Sequence, residues 1–273
     1  MYTDASPFGV SAIVLQKSPG EESGKIVCYS SRALSKTEMR YAQINHECLG
    51  LVYGCERNRL YLLGRHFTAY NNHKSLVNIL TNPKSHIPLR IERLALRLQH
   101  FDFTLNRIKS EDNISDYSSR HPHDKPDEEI SEIVEEYVNA ITMTACPNAL
   151  TLDDIREATN SDATLQEVIK LTMGHKWYRL DEKNEYDTTM LNELKAFRKF
   201  KDELTVTCNG ILLKGKRIVL PKVLQNVAIN IAYVGHQGIQ KTKALLRTKV
   251  YFRSMDVLAE KKIENCLACQ AVE

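Results

Sequence analysis

No stretch of the sequence approaches the roughly 20 consecutive apolar residues of a membrane-spanning helix. Its first residues, MYTDASP, lack the basic and apolar regions of a secretory signal peptide. A membrane partner is therefore not expected, and the expectation is a cytoplasmic or nuclear protein. Nor is there an excess of one charge: 37 Lys and Arg against 34 Asp and Glu leave +3, too little to point to nucleic acid by itself. A disulfide framework is missing as well. Five of the seven cysteines (Cys28, Cys48, Cys55, Cys146, Cys208) are scattered, and only Cys266 and Cys269 share a spacing that suggests chemistry. What is present, 42% apolar and 26% charged residues over 273 positions, describes a globular chain with one or two proper cores.

The N-terminal half alternates strand and helix signals. Met1 to Asp4 reads as the tail of a strand, which suggests that the chain begins inside something longer. Val10 to Gln16 and Lys25 to Ser30 follow as second and third strands. Ser35-Lys36-Thr37-Glu38 forms a capping-box pattern ahead of apolar residues at helical spacing, Tyr41 through Cys55. His66 to Tyr70 is a fourth strand, Lys74 to Leu80 and Leu89 to Gln99 are helices, and Phe101 to Ile108 alternates as a strand with one exposed face. Asn113 to Ser119 is a last short helix before Pro122. These elements predict an α/β fold with a mixed five-stranded sheet covered by helices.

The polar, proline-bearing stretch HPHDKPDEE marks a boundary, giving an expected organisation of 1–122, a polar linker and helical tether over 123–202, and a small domain over 203–273. In that last part, LTVTCNGILL predicts a hairpin in which Asn209-Gly210 forms a type I′ turn. Pro221 suits the start of a helix reaching about Tyr233, and two further helices follow.

Asp4 at the end of the first strand, Glu47 on the first helix and Asp116 on the last helix of the first part are acidic residues that could converge on one edge of the sheet. Converging carboxylates are what two-metal phosphodiester hydrolysis requires, although most acidic residues in any chain are surface charges. Five ordered blocks then carry a resemblance: TDASPFG, SSRALSKTEMRYAQINHECLGLVYG, YLLGRHFTAYNNHKSL, IERLALRLQHFDF and DNISDYSSRHP. Together they resemble the ribonuclease H domain in the Pol polyprotein of gypsy-type LTR retrotransposons, over about residues 1–122. The resemblance implies a ribonuclease H fold and Mg²⁺-dependent hydrolysis of the RNA strand of RNA–DNA hybrids. It assigns metal-binding carboxylates to Asp4, Glu47 and Asp116, and it places the fourth on Asn72, where the family motif TDHKPL reads NNHKSL. An amide brings no charge, so a site missing one of four anions should hold two divalent ions poorly.

Cys266 and Cys269 alone leave metal, redox chemistry or no role open. GILLKGKRIVLPKVLQ, GHQGIQKTKALLR and NCLACQA, over about 203–271, are similar to the His-His-Cys-Cys zinc-binding domain at the N-terminal end of the integrase in the same polyproteins. That likeness implies His236, Cys266 and Cys269 as Zn²⁺ ligands and puts Tyr233 where the first histidine is expected. A phenol with pKa near 10 is a poor zinc ligand at neutral pH. Arg253-Ser254 stands where the family has a Pro-Gly turn.

Arg90, Arg93, Arg97, Lys241, Lys243 and Arg247 are candidate phosphate contacts for an RNA–DNA hybrid or DNA, or else ordinary solvated helix faces. The blocks of a polymerase core and of an integrase core are not found in the sequence, so neither copying nor strand transfer is expected of it. Three readings remain: a Pol fragment with weakened ribonuclease activity, a non-enzymatic nucleic-acid-binding or interaction protein derived from a retroelement, and a decaying remnant.

Overall fold

The computed structural model describes residues 1–18, 20, 24–82, 87–147, 149–174, 176–180, 186–236 and 238–266. The backbone gathers into two compact units, Met1–Tyr137 and Val138–Glu273. No helix among the described residues is long and apolar enough to cross a membrane.

In the first unit, strands β1 (Tyr2–Ala5), β2 (Gly9–Gln16) and β3 (Lys25–Ala33) run as an antiparallel meander. Helix α1 (Gln43–Arg57) and the single turn α2 (Arg59–Leu62) lead to β4 (Phe67–Asn71), which pairs parallel with β1. Helices α3 (Lys74–Thr81) and α4 (Leu89–Leu98) precede β5 (Phe103–Arg107), parallel to β4, and the short α5 (Asp116–Arg120) closes the fold. The sheet order β3-β2-β1-β4-β5 is the mixed five-stranded sheet expected from the sequence, an RNase H-like α/β architecture. Val10, Ala12 and Val14 of β2 and Ala69 of β4 face Cys48, Leu51, Val52 and Cys55 of α1 in its core.

The helix lies unusually close to the strands. A Cβ on Gly54 would sit 2.7 Å from the Ala12 Cβ, and one on Gly50 would sit 3.0 Å from the Asp4 carbonyl oxygen. Two glycines one turn apart thus let α1 settle against β1 and β2. Glu47, one turn earlier, is thereby held over the end of β1.

The capping box forms but does not open α1. Ser35 N donates to Glu38 Oε2 at 2.8 Å and Glu38 N to Ser35 Oγ at 3.2 Å, yet only a 3₁₀ turn, Glu38–Arg40, follows. Glu38 is claimed by Arg32 of β3 through two bonds of 2.8 Å, both side chains being buried. The chain is extended again at Tyr41 and Ala42, and α1 starts at Gln43. Removing one partner from such a buried pair typically costs about 3–5 kcal/mol, so the kink is fixed by tertiary contact rather than local propensity.

Helix α6 (Glu128–Ala145) contains the boundary between the units. The second unit comprises α7 (Leu152–Ser161), α8 (Ala163–Met173), α9 (Thr188–Arg198) and strands β6 (Leu204–Val206), β7 (Leu212–Lys214) and β8 (Arg217–Val219). Helices α10 (Lys222–Tyr233) and α11 (Ile239–Lys249), strand β9 (Val250–Tyr251) and helix α12 (Met255–Glu264) complete it. Its four-stranded sheet has the order β6-β7-β8-β9. Leu165 and Val168 of α8 and Leu194 of α9 share one core with Leu204, Leu212 and Val219, so the helices expected as a tether pack with the hairpin.

The hairpin is formed with a different turn. Between the two strands of the hairpin only Gly210 has positive φ, +78°, and Gly210 N donates to Thr207 O at 3.1 Å. That is a one-glycine turn, not type I′, which needs positive φ at Asn209 as well.

Candidate carboxylate site and candidate zinc corner

Four elements carry the predicted residues of the first site, with Glu47 on α1. β1 carries Asp4, β4 runs directly into Asn71 and Asn72, and α5 begins with Asp116. Asn71 is the last residue of β4, and its Nδ2 reaches Glu47 Oε2 at 3.1 Å and Thr3 Oγ1 at 3.3 Å, while its Oδ1 accepts from His73 N at 2.9 Å. This leaves Asn72 turned to Asp4, with Nδ2 donating to Asp4 Oδ1 at 3.1 Å.

Helix α5 is short and held by hydroxyls from β2 and from the turn before it. Ser6 Oγ donates to Ser119 O and Ser11 Oγ to Ser115 O, both at 2.7 Å. Docked there, it presents Ser119, whose Oγ donates to Asp4 Oδ2 at 2.6 Å. Asn113 adds Nδ2 to Asp4 Oδ1 at 3.2 Å and to Thr3 O at 3.0 Å. Asp4 is 2% exposed, and every donor around it is neutral. Burial raises its carboxyl above the ordinary range, the Ser119 hydroxyl opposes the shift, and Asp116 reinforces it.

Glu47 is also buried, its Oε1 accepting from Gln43 Nε2 at 2.8 Å and its Oε2 from Asn71. Burial first, and the nearby Asp4 second, push its carboxyl up to about 8. Asp116 is more open, and both its oxygens accept from Arg120 at 2.9 Å.

Asn113, Ser119, Asn71 and Gln43 were missed as site residues in the sequence. The spacing of Asn113, Asp116 and Ser119 at threes, and of Gln43 and Glu47 at four, is the signal that could have found them.

The residues present do not fit a pair of divalent cations. The Asp4 oxygens take three donors, those of Glu47 take two amides, and those of Asp116 are held by a guanidinium. At the fourth position an amide points N–H, not oxygen, at Asp4. Among the described residues no group of three His, Cys, Asp or Glu comes together that could hold a metal.

In the second unit the end of α10, the loop after it and the end of α12 meet. Tyr233 closes α10 and is buried, its ring centroid 5.0 Å from that of His236 in an edge-on arrangement. His236 Nδ1 lies 3.4 Å from Cys266 Sγ. The loop reaches this geometry through left-handed backbone at Gly235 (+86°), His236 (+50°) and Gly238 (+82°). Cys269 lies outside the described residues.

Two zinc ligands at about 2.05 and 2.3 Å in a tetrahedral centre stand about 3.5 Å apart, close to the His236–Cys266 distance. This pair therefore fits two corners of a zinc site, whereas Tyr233 offers a phenol at the corner where the resemblance expects imidazole.

The basic residues are mostly paired internally. Arg90 binds Glu135 through Nε at 2.7 Å and Nη2 at 3.2 Å, and Arg97 binds Glu56 at 2.7 and 2.9 Å. Lys243 pairs with Glu260, and Arg247 with Asp256 at 2.7 Å. Arg93 is half-buried and Lys241 exposed. The basic face expected on α4 is thus largely spent on ion pairs with acids far away in sequence.

Residues 1–101 match the family model described as an RNase H-like domain found in reverse transcriptase, and residues 220–273 match that of an integrase zinc binding domain. The transposon Tf2-3, Tf2-4 and Tf2-5 polyproteins of Schizosaccharomyces pombe are each 25% identical to this chain over 287 residues, 99% of its length and 19% of theirs. The chain spans about one fifth of the length of these curated relatives. It is similar along nearly its whole length to retrotransposon polyproteins, and joins a reverse-transcriptase RNase H-like segment to an integrase zinc-binding-like segment in one polypeptide.

Proposed function

We propose that the chain is a segment of a gypsy-type Pol polyprotein whose RNase H-like unit engages RNA–DNA hybrids but cleaves them weakly or not at all. The single observation that carries this reading is the Asn72 amide donating to Asp4 at 3.1 Å. A carboxylate at that position would add a fourth anion to Asp4, Glu47 and Asp116. The amide instead satisfies Asp4 as a neutral donor and lowers the demand for a cation. Asp4, Glu47 and Asp116 are the residues that would meet Mg²⁺ in this reading, and with an amide at Asn72 they fall short of the charge that a pair of cations needs.

A hybrid-cleavage assay in Mg²⁺ and then Mn²⁺ tests it. The unmodified chain is expected to give negligible turnover and Asn72→Asp to raise it at least about a hundredfold, the order of a lost electrostatic group in a catalytic site. Robust turnover by the unmodified chain, abolished by Asp4→Asn, would sink the proposal.

For the second unit we assign Zn²⁺ to His236, Cys266 and Cys269 as a three-ligand site, supported by the 3.4 Å approach of His236 to Cys266. Zinc bound there would cross-link the loop after α10 to the end of α12 and stabilise the fold. Retention through dialysis is expected to be substoichiometric and to rise in Tyr233→His. Stoichiometric zinc that survives chelation in the unmodified chain would mean a fourth ligand from elsewhere.

A second reading, a non-enzymatic nucleic-acid-binding role in the cytoplasm or nucleus, is favoured by the complete internal satisfaction of the carboxylates. It keeps hybrid or DNA as partner and needs no metal in the first unit. Salt-dependent hybrid binding without cleavage in Mn²⁺ supports it, and no binding at low salt removes it.

A further inference from the structure

Outside both sites, the second unit holds a recess of about 320 Å³ walled by Phe197, Phe200, Tyr251 and Phe252. It adjoins a more polar recess of about 400 Å³, and Glu193, Ala196 and Arg253 line both. Lys195 and Lys199 line the polar one, and these two lysines and Arg253 are exposed. None of the three has an ion-pair partner among the described residues, in contrast to the paired arginines of α4 and the paired cations of α11.

The acids of the recess are already matched. Asp162 Oδ1 caps α8 by accepting from Thr164 N and Leu165 N at 3.1 Å, and its Oδ2 accepts from Lys222 N at 3.2 Å. Glu193 is paired with Lys222 Nζ at 2.8 Å. What is left over is positive charge beside aromatic surface.

The rings are fixed as well as partly open. Phe200 meets Tyr251 edge-on at 5.3 Å and Phe197 in a tilted arrangement at 5.6 Å, and Lys214 Nζ sits 3.6 Å and 4.2 Å from the centroids of Phe200 and Tyr251. Rings held this way lose little freedom when a planar ligand joins them. A volume of about 320 Å³ is at the small end of ligand pockets, which run from about 300 to 1,000 Å³. A flat apolar body with an anionic group a few ångströms away matches both recesses at once.

We propose that this double recess binds one nucleotide of single-stranded nucleic acid, its base against Phe200 and Tyr251 and its phosphate on Lys195, Lys199 and Arg253. Base-on-ring stacking tolerates any sequence, because every base has a π-face, and each cation–phosphate contact adds salt dependence. The site lies wholly in the second unit and requires neither Mg²⁺ in the first nor zinc at His236.

Fluorescence anisotropy of the full chain with a labelled short oligothymidylate at low salt tests it, beside a strand of equal length whose sugars carry no bases. The abasic strand should bind about tenfold more weakly, in the range stacking of one base supplies. Lys199→Glu with Arg253→Glu should cost at least tenfold and flatten the salt slope, with an unchanged melting curve because both side chains are exposed. A 5-iodouracil strand should photo-crosslink to Phe200 or Tyr251. Equal binding of the abasic strand reduces the site to phosphate attraction and overturns the proposal. So does full binding by the charge-reversed variant, or crosslinking confined to residues 1–137. Thymidine monophosphate competing as strongly as the strand would make a free nucleotide the ligand and overturn the strand assignment.

Discussion

The Asp4 corner and the His236 corner each carry another residue where the resemblance expects a ligand, and the two residues sit in different ways. At Asp4 the replacement joins the hydrogen-bond network: Asn72, Asn113 and Ser119 supply neutral donors to a buried carboxylate, and Asn71 and Gln43 do the same for Glu47. At His236 the replacement is a packed ring: Tyr233 lies edge-on to the imidazole, while His236 and Cys266 keep an approach suited to metal. Burial explains the difference. A buried anion without its cation must find donors or take a proton, whereas His236 is exposed and neutral imidazole carries no such charge to satisfy. The first corner should therefore resist a metal that the second still accepts.

The largest effect that could break this contrast is the pH dependence of the first corner. Glu47 has its carboxyl raised from the ordinary 4.5 to about 8, so between those values the folded chain binds a proton that the unfolded chain releases. Its contribution is fully present below about pH 4.5 and is lost as pH rises through about 8, with a slope approaching about 1.4 kcal/mol per pH unit inside the window. Urea unfolding of Glu47→Gln should show a flatter profile from pH 5 to 8 by at least about 2 kcal/mol. An unaltered profile would mean that Glu47 is ionised in the fold, and that the corner does look for a cation.

Next in size is Asn72→Asp without divalent ions. The substitution removes a donor from Asp4 and sets a second carboxylate against it, which should cost about 2 kcal/mol in EDTA. Saturating Mg²⁺ should return about as much, since a ligand at a hundred times its Kd stabilises by about 2.7 kcal/mol. The unmodified chain should show no such Mg²⁺ effect. Equal stabilisation of both proteins by Mg²⁺ would erase the distinction between the two corners.

Much of this was legible in the sequence, for identifiable reasons. The sheet could be read because β2 and β5 carry period-two or continuous apolar patterns, and the pairing of Asn72 with Asp4 lies between two of the quoted motif blocks. What could not be read depended on partners distant along the chain. Ser35 and Glu38 have the letters of a helix start, but Arg32 takes the glutamate and delays the helix to Gln43. Arg90 and Arg97 look like a phosphate-binding face until Glu135 and Glu56 are brought beside them. Asn209-Gly210 specifies a hairpin, but the count of residues between the strands decides the turn. The aromatic recess was invisible because its rings come from α9, the segment after it, and β9.

The smallest expected effect concerns how the zinc corner is held in shape. Ser254 begins α12 with φ +59° and ψ +22°, the left-handed region, and its side chain makes no cap bond to the helix. A non-glycine residue there carries about 1–2 kcal/mol of strain that glycine does not, partly returned because glycine also frees the unfolded chain. Ser254→Gly should therefore stabilise the protein by about 0.5–1 kcal/mol, seen as a higher denaturant midpoint with unchanged slope. Because α12 leads directly to Cys266, a relaxed start to this helix should hold the thiol near His236 for more of the time and raise zinc retention. A stabilised variant with unchanged zinc retention would show that the turn and the His236–Cys266 pair are energetically separate. The geometry of the corner would then rest on the left-handed backbone at Gly235, His236 and Gly238 alone.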